Sequence, residues 1–310
     1  MSWRRFVRWS IRQHATGIEP DPVHGTCTDD VARAVLVDLD HAEVLGPSAI
    51  EKSLRRSIRY LVEAFDTETG RFRNFRATDG RWLDRIGSED CHGRAMLALA
   101  GAASRSRTPE VRRISGDLLL LAAPAALRLT ALRALASATL ACAEPLDART
   151  GTALRPVLVD LSGRLESAFA GTARTAFWPW PEECVTYESA LSARALIAVG
   201  SRIGKPAMTD LGLATLDWLL RGQLDADGRF DPVGNRGWWP TGGPKAAFDQ
   251  QPIEAGSVVK AAESAFEATG DRRYVEAAER AYAWFLGANR LGLTIADPAR
   301  GGCRDGLGAE

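Results

Sequence analysis

Carboxylates stand in this chain where loops turn into helices. The densest case is Asp249-Gln250-Gln251-Pro252-Ile253-Glu254-Ala255, which sets two acids and two amides across a helix start. The same design recurs at Thr28-Asp29-Asp30, at Ser88-Glu89-Asp90-Cys91-His92 and at Pro181-Glu182-Glu183. Two carboxyl groups that converge in space can divide acid–base work, one donating a proton while the other activates water or attacks. Asp29, Asp30, Glu89, Asp90, Asp249, Glu254 and Asp305 form the pool. Asp30 and Glu254 are the favoured pair, with Asp249 and Asp90 the next candidates for catalysis. A plainer role competes: an acid in the first turn of a helix offsets the helix dipole, for about 0.3–1 kcal/mol. That role is weakest for Asp249, which lies before Pro252 and outside the helix.

Amides and aromatics accompany these acids. Gln250 and Gln251 carry both donors and acceptors, as polyhydroxylated ligands require. Trp178, Trp180, Trp238 and Trp239 fall in loops flanked by Pro and Gly, where an indole can stack on the C–H face of a sugar ring and offer an N–H. Their competing role is to plug the loops onto the helices. Trp82, Trp218 and Trp284 read as packing residues, and Tyr187 as a donor lining the site. His92 reads as a sugar-binding donor or a helix-start residue. Asp90-Cys91-His92-Gly93 resembles the zinc-binding Cys-His-Gly of lanthionine cyclases, but the partner tryptophan-cysteine motif is missing, and zinc needs three or four such ligands. The expectation is therefore no metal and buried cysteines. Gly242-Gly243 and Gly301-Gly302 form neither a phosphate loop nor a dinucleotide fingerprint, so no cofactor is expected.

The elements that must position these groups are helical. After Pro252, Val258, Val259, Ala262, Ala265 and Phe266 repeat at three- and four-residue steps. Gly270 ends that helix, and Tyr274, Ala278, Ala281, Tyr282 and Phe285 stripe the next. Further hairpins are predicted over about 29–65 with a turn at Gly46-Pro47, and from about Glu89 with a return at Thr108-Pro109-Glu110. Two more are expected over Ala125–Ala143 with Leu154–Phe169, and over Cys184–Val199 with Pro206–Leu220. Only pieces such as Gly70–Phe75 and Gly228–Phe230 could form hairpin tips. The long connections, about 66–88, 171–183 and 224–251, each precede an acidic helix start, and long loops in compact domains are commonly functional. A ring of such hairpins would gather alternate helix N-termini on one face.

Composition bounds the partners. The chain has 310 residues, 45% apolar and 25% charged, with Lys+Arg and Asp+Glu balanced at 39 each. Nothing drives it electrostatically toward nucleic acid or anionic lipid. Five cysteines without a C-x-x-C pair favour a reducing, cytoplasmic setting over a disulfide framework. The most apolar run, Leu118–Leu127, is too short to span a membrane, and Met1–Arg12 is basic without an apolar signal core.

At these motifs the chain resembles a bacterial family of six-hairpin glycosidase-like domains, often found C-terminal to or beside glycosyltransferases. The matching stretches are His24–Ala34, Gly87–Ala95, Trp178–Glu183 with Thr186-Tyr187, Phe248–Ala255, Thr269–Asp271, Trp284–Gly287 and Gly301–Leu307. They cover nearly the whole chain in order. The resemblance implies an all-α, (α/α)6-type toroid and a carbohydrate-related role, without fixing an activity. The family pattern continues beyond Gly306-Leu307 into one more helix, so the last inner helix is expected to be missing here. A helix over Trp3–His14 is expected to dock on the ring.

The resulting expectation is a single domain, 1–310, acting on an oligosaccharide or glycoconjugate, with a glycosyltransferase as a partner. Glycoside hydrolysis by paired carboxylates leads, with Asp30 and Glu254 facing each other across the mouth. Carboxyl separations of about 6.5–9.5 Å would mean inversion and about 5–5.5 Å retention. Asp29, Glu89, His92, Trp178, Trp180, Tyr187, Trp238, Trp239, Gln250, Gln251 and Asp305 are expected to bind substrate. A sugar epimerase or isomerase is the second reading, and a non-catalytic glycan-binding or scaffold domain the third.

Overall fold

A computed structural model describes residues 11–171 apart from 18 and 22, and residues 177–309 apart from 300. Among them ten α-helices dominate, joined by two-residue strands. The chain divides into two compact units, Met1–Ser162 and Gly163–Glu310. Most of the helix expected over Trp3–His14 lies outside the described residues, and Ile11–His14 is irregular.

The first unit opens with a small hairpin of β1 (Ala15–Thr16) and β2 (Glu19–Pro20). Strand β3 (Thr26–Cys27) then leads into α1 (Thr28–Leu45). A single residue, Gly46 at φ +85°, turns the chain into α2 (Pro47–Ala64); glycine takes this conformation without steric cost. Strands β4 (Phe65–Asp66) and β5 (Arg71–Phe72) pair with each other. Strand β6 (Phe75–Arg76) returns to pair antiparallel with β3. Helices α3 (Glu89–Arg105), α4 (Pro109–Ala126), α5 (Leu132–Ala143) and α6 (Ala148–Ala170) follow. Helix α3 is central: it packs on α1, α4 and α5, and its residues from Cys91 to Ala102 are all buried. Its alanine-rich sequence suits that position, because small side chains let neighbouring backbones approach.

The second unit pairs β7 (Cys184–Val185) with β8 (Trp239–Pro240). Helix α7 (Ala190–Arg202) packs on α8 (Pro206–Gly222) and on α9 (Pro252–Thr269), and α9 packs on α10 (Arg273–Phe285). The apolar stripes meet in one core that includes Ile197, Leu216, Val258, Tyr274 and Trp284. Strands β9 (Ala296–Asp297) and β10 (Gly302–Cys303) close a last hairpin.

Two predicted boundaries differ. Helix α5 starts at Leu132 instead of Ala125, because α4 runs through Pro124 to Ala126 and a tight turn follows. Cys184 begins a strand and not a helix; the turn before α7 holds Glu188 at φ +55°, which a right-handed helix cannot contain.

The close α3–α5 approach makes a specific prediction. A Cβ at Gly93 would lie 2.7 Å from the Ala134 carbonyl oxygen. Gly93→Ala should therefore lower stability by about 1–3 kcal/mol through overpacking, although alanine is the better helix former. Gly151→Ala in α6, where a Cβ meets nothing within 4 Å, should instead raise it by up to about 1 kcal/mol. Urea denaturation of both variants measures the two signs.

Candidate active site

In the first unit the starts of α1, α3 and α5 are tied together by side chains. Asn74, at the tip between β5 and β6, accepts the Asp29 backbone N–H at 3.3 Å and donates to the Asp29 carboxylate at 3.1 Å. Cys27 Sγ lies 3.2 Å from the same Asn74 oxygen. The thiol is pushed up to about 12 by burial and by the charges of Asp30 and Asp29, so it is a neutral filler. Arg94 of α3 reaches Asp29 at 3.1 Å. Asp84 holds the tip from outside, accepting the N–H groups of Asn74 and Phe75 at 2.7 and 2.8 Å.

Asp30 pairs with Arg33 at 2.8 Å. Burial raises its carboxyl above the usual aspartate range; Arg33 opposes this and the Asp29 charge adds to it. Glu89 reaches across to the start of α5, where it accepts from the N–H groups of Thr130 and Ala131 at 2.7 and 2.6 Å. That is a capping bond to a neighbouring helix. Asp90 pairs with Arg133 at 3.2 Å.

His92 does not face a substrate. It is 0% exposed and packs on Phe72 with ring centres 5.5 Å apart. Burial and the nearby Arg71 charge lower its pKa to about 3. These surroundings hold His92 as a neutral imidazole.

In the second unit the focus is Glu254, in the first turn of α9 and 1% exposed. Its Oε1 accepts the backbone N–H of Glu188 at 2.5 Å. Among the described residues the non-glycine positions with positive φ are Glu188 at +55°, Trp238 at +55° and Asp249 at +52°. One of them is bonded to Glu254. Glu188 donates to it. Trp238 neighbours Tyr187, with ring centres 6.1 Å apart. Asp249 lies five positions before it and pairs with Arg236 at 2.6 Å. Such conformations cost of order 1–3 kcal/mol each and concentrate at functional sites.

The loop that carries Trp238 and Asp249 is held rigidly. Asn235 N–H donates to the Asp249 carbonyl at 3.0 Å, and Trp238 N–H to the Gly234 carbonyl at 3.1 Å. A Cβ at Gly234 would lie 2.0 Å from the Phe248 oxygen, so only glycine fits there. Gln250 is 0% exposed. Its amide donates to Asp231 at 2.6 Å and accepts from Trp284 Nε1 at 2.9 Å. Its backbone pairs both ways with Leu307. Asp231 in turn meets Arg290 at 2.7 Å and Lys245 at 3.1 Å.

The tryptophans divide. Trp239 stacks on Trp218 at 4.9 Å and 8°, over Gly222, where a Cβ would strike its ring. Trp178 meets both rings edge-on. Trp180 is 4% exposed and packs on Phe169. Tyr187 and Trp238 are half-buried, as is Gln251 beside the α9 start, whereas Asp305 is exposed. The sequence did not single out Asn74, Asp84, Arg94, Glu188 or Arg236; only the loop-tip pattern around Arg73-Asn74-Phe75 offered a hint. Asp30 belongs to the first unit and Glu254 to the second.

No protein family profile matches the chain, and no curated protein matches it. Solved structures do. A sugar epimerase from a ruminal bacterium is 13% identical with a TM-score of 0.71, over 93% of this chain and 81% of that one. Cellobiose 2-epimerase from Spirochaeta thermophila is 13% identical with a TM-score of 0.68, over 94% and 80%. The fold is an all-α α/α toroid. The same toroid is shared with a GH76 α-mannanase of Bacteroides thetaiotaomicron, 8% identical with a TM-score of 0.62, over 92% of this chain and 79% of that one. No described helix is long and apolar enough to cross a membrane.

The buried histidine predicts a pH dependence. In the unfolded chain His92 takes up a proton near 6.5, but in the folded toroid only near 3. The stability that its neutral form contributes is complete above about pH 6.5 and is lost as pH falls toward 3, by about 2 kcal/mol at pH 5. Denaturation at pH 7.5 and 5 should show a smaller loss for His92→Met than for the parent protein. Parallel profiles would refute the assignment.

Proposed function

We propose that the protein is a carbohydrate-active enzyme and that its activity is glycoside hydrolysis. The carrying observation is the buried Glu254, whose carboxylate accepts the backbone N–H of a left-handed Glu188. Strain retained at the residue bonded to a buried acid supports a site where geometry is held for chemistry. Trp238 and Tyr187 supply the aromatic surface on which a sugar ring stacks.

The Glu188 N–H, donated to Oε1, fixes the orientation of the Glu254 carboxyl, which suits a group that acts at a defined sugar atom. Among the candidate acids Asp30 has a raised pKa through burial, which fits a proton donor.

Sugar epimerisation is the second reading, supported by the likeness to a sugar epimerase and to cellobiose 2-epimerases. Against it stand the burial of His92 and the positions of the other three histidines, His14, His24 and His41, all in the first unit. Epimerases of this kind need a base that reaches a sugar carbon, commonly histidine.

Both readings meet one assay. The parent, Glu254→Gln and Asp30→Asn proteins are incubated with manno- and cello-oligosaccharides in D2O. Reducing-end release and deuterium at the sugar C2 position are followed by NMR. Hydrolysis predicts release by the parent and a loss of about a hundredfold to ten-thousandfold in kcat for each variant, with sugar binding retained. Deuterium uptake without release would replace hydrolysis with epimerisation. Binding without either would make the protein a glycan-binding module, in keeping with a glycosyltransferase partner.

A further inference from the structure

A groove in the second unit touches none of the candidate site residues described above. It is a groove of about 250 Å³ between α8 and α10. Its floor is apolar, built from Leu220, Phe230 and Ala277, and its rim is cationic, with Arg221, Arg273 and Arg280. We propose that this groove is a separate binding site for a small amphipathic anion, a carboxylate or phosphate carried on an apolar body.

The helical periodicity explains the arrangement. Asp217 and Arg221 lie four apart on α8, and Arg273, Ala277 and Arg280 lie four and three apart on α10, so each set forms one stripe. The stripes are clamped at one end. Asp217 accepts from the Tyr274 hydroxyl at 3.0 Å and from Arg273 at 3.0 Å. Arg273 also meets Asp271 at 2.9 Å and lies over the Tyr274 ring at 4.6 Å. Its charge is thus consumed within the protein.

Arg221 and Arg280 are different. Both are exposed, and among the described residues neither is paired with a carboxylate. Two guanidinium groups over an apolar floor have a simple complement. The planar fork of arginine matches carboxylate and phosphate oxygens two at a time, and the floor gains from covering by hydrocarbon. The volume limits the occupant to a small molecule. A neutral hydrocarbon would leave the cations unmet, and a long polyanion would not use the floor.

The test is titration of the full chain, by calorimetry and by protein NMR, with octanoate, octyl phosphate, 1-octanol and octyltrimethylammonium. Octanoate or octyl phosphate should bind with a Kd of about 0.1–1 mM, and their ratio identifies the preferred head group. The alcohol and the cation should bind at least about tenfold more weakly, and added salt should weaken the anions. R221Q/R280Q should reduce anion binding at least about tenfold. Ala277→Leu, which fills the floor, should remove it while thermal melting shows an intact fold. The proposal fails if folded protein binds none of the probes below about 10 mM. It fails equally if the alcohol binds as well as the anions, or if R221Q/R280Q binds them unchanged.

Discussion

A helix that starts inside a protein leaves its first backbone N–H groups without internal partners, and burying them unmet is costly. Much of this molecule is organised around that constraint. Glu89 of α3 serves the start of α5, Asn74 serves the start of α1, and Ser88 caps its own helix through the Cys91 N–H at 3.1 Å. In the second unit Glu254 of α9 serves the turn that precedes α7. The acids at helix starts are therefore structural first. What distinguishes Glu254 is that the N–H it accepts belongs to a residue in a strained conformation.

That strain has to be held in place by something stiffer. In the second unit the holder is the buried network of Gln250, Asp231, Trp284, Arg290 and Lys245. A buried carboxylate is tolerated when several donors satisfy it, and Asp231 has them. The network fixes the backbone one residue past Asp249, and the pairing with Leu307 fixes it again. Gly234 and Gly306 allow this crowding, since a Cβ on either would sit within 2.6 Å of a carbonyl oxygen. Trp238 and Asp249 thus sit on a braced loop even though they lie outside any helix.

The same toroid is found in epimerases and in a mannanase, so the fold carries no choice between breaking a glycosidic bond and moving a proton at carbon. The choice rests on side chains.

Helix positions were legible in the sequence because they rest on local signals: apolar repeats at three and four residues, prolines at 47, 109, 206 and 252 in first turns, and glycines at 46 and 270 after the last. The candidate acids were legible for the same reason. Their fates were not. Glu254 meets Glu188 across 66 positions, Arg94 meets Asp29 across 65, and Gln250 meets Trp284 across 34. Nothing in the local pattern separates a buried Gln250 from a half-buried Gln251, or a core His92 from an open one. Nor does it mark Glu188 for a left-handed backbone, since neither glycine nor asparagine stands there. The sequence by itself determined the helices and the places where polar groups enter them, through contacts within a turn or two. Which of those groups are buried, paired, strained or left open was decided by tertiary packing, because desolvation and partner geometry exist only once distant segments meet.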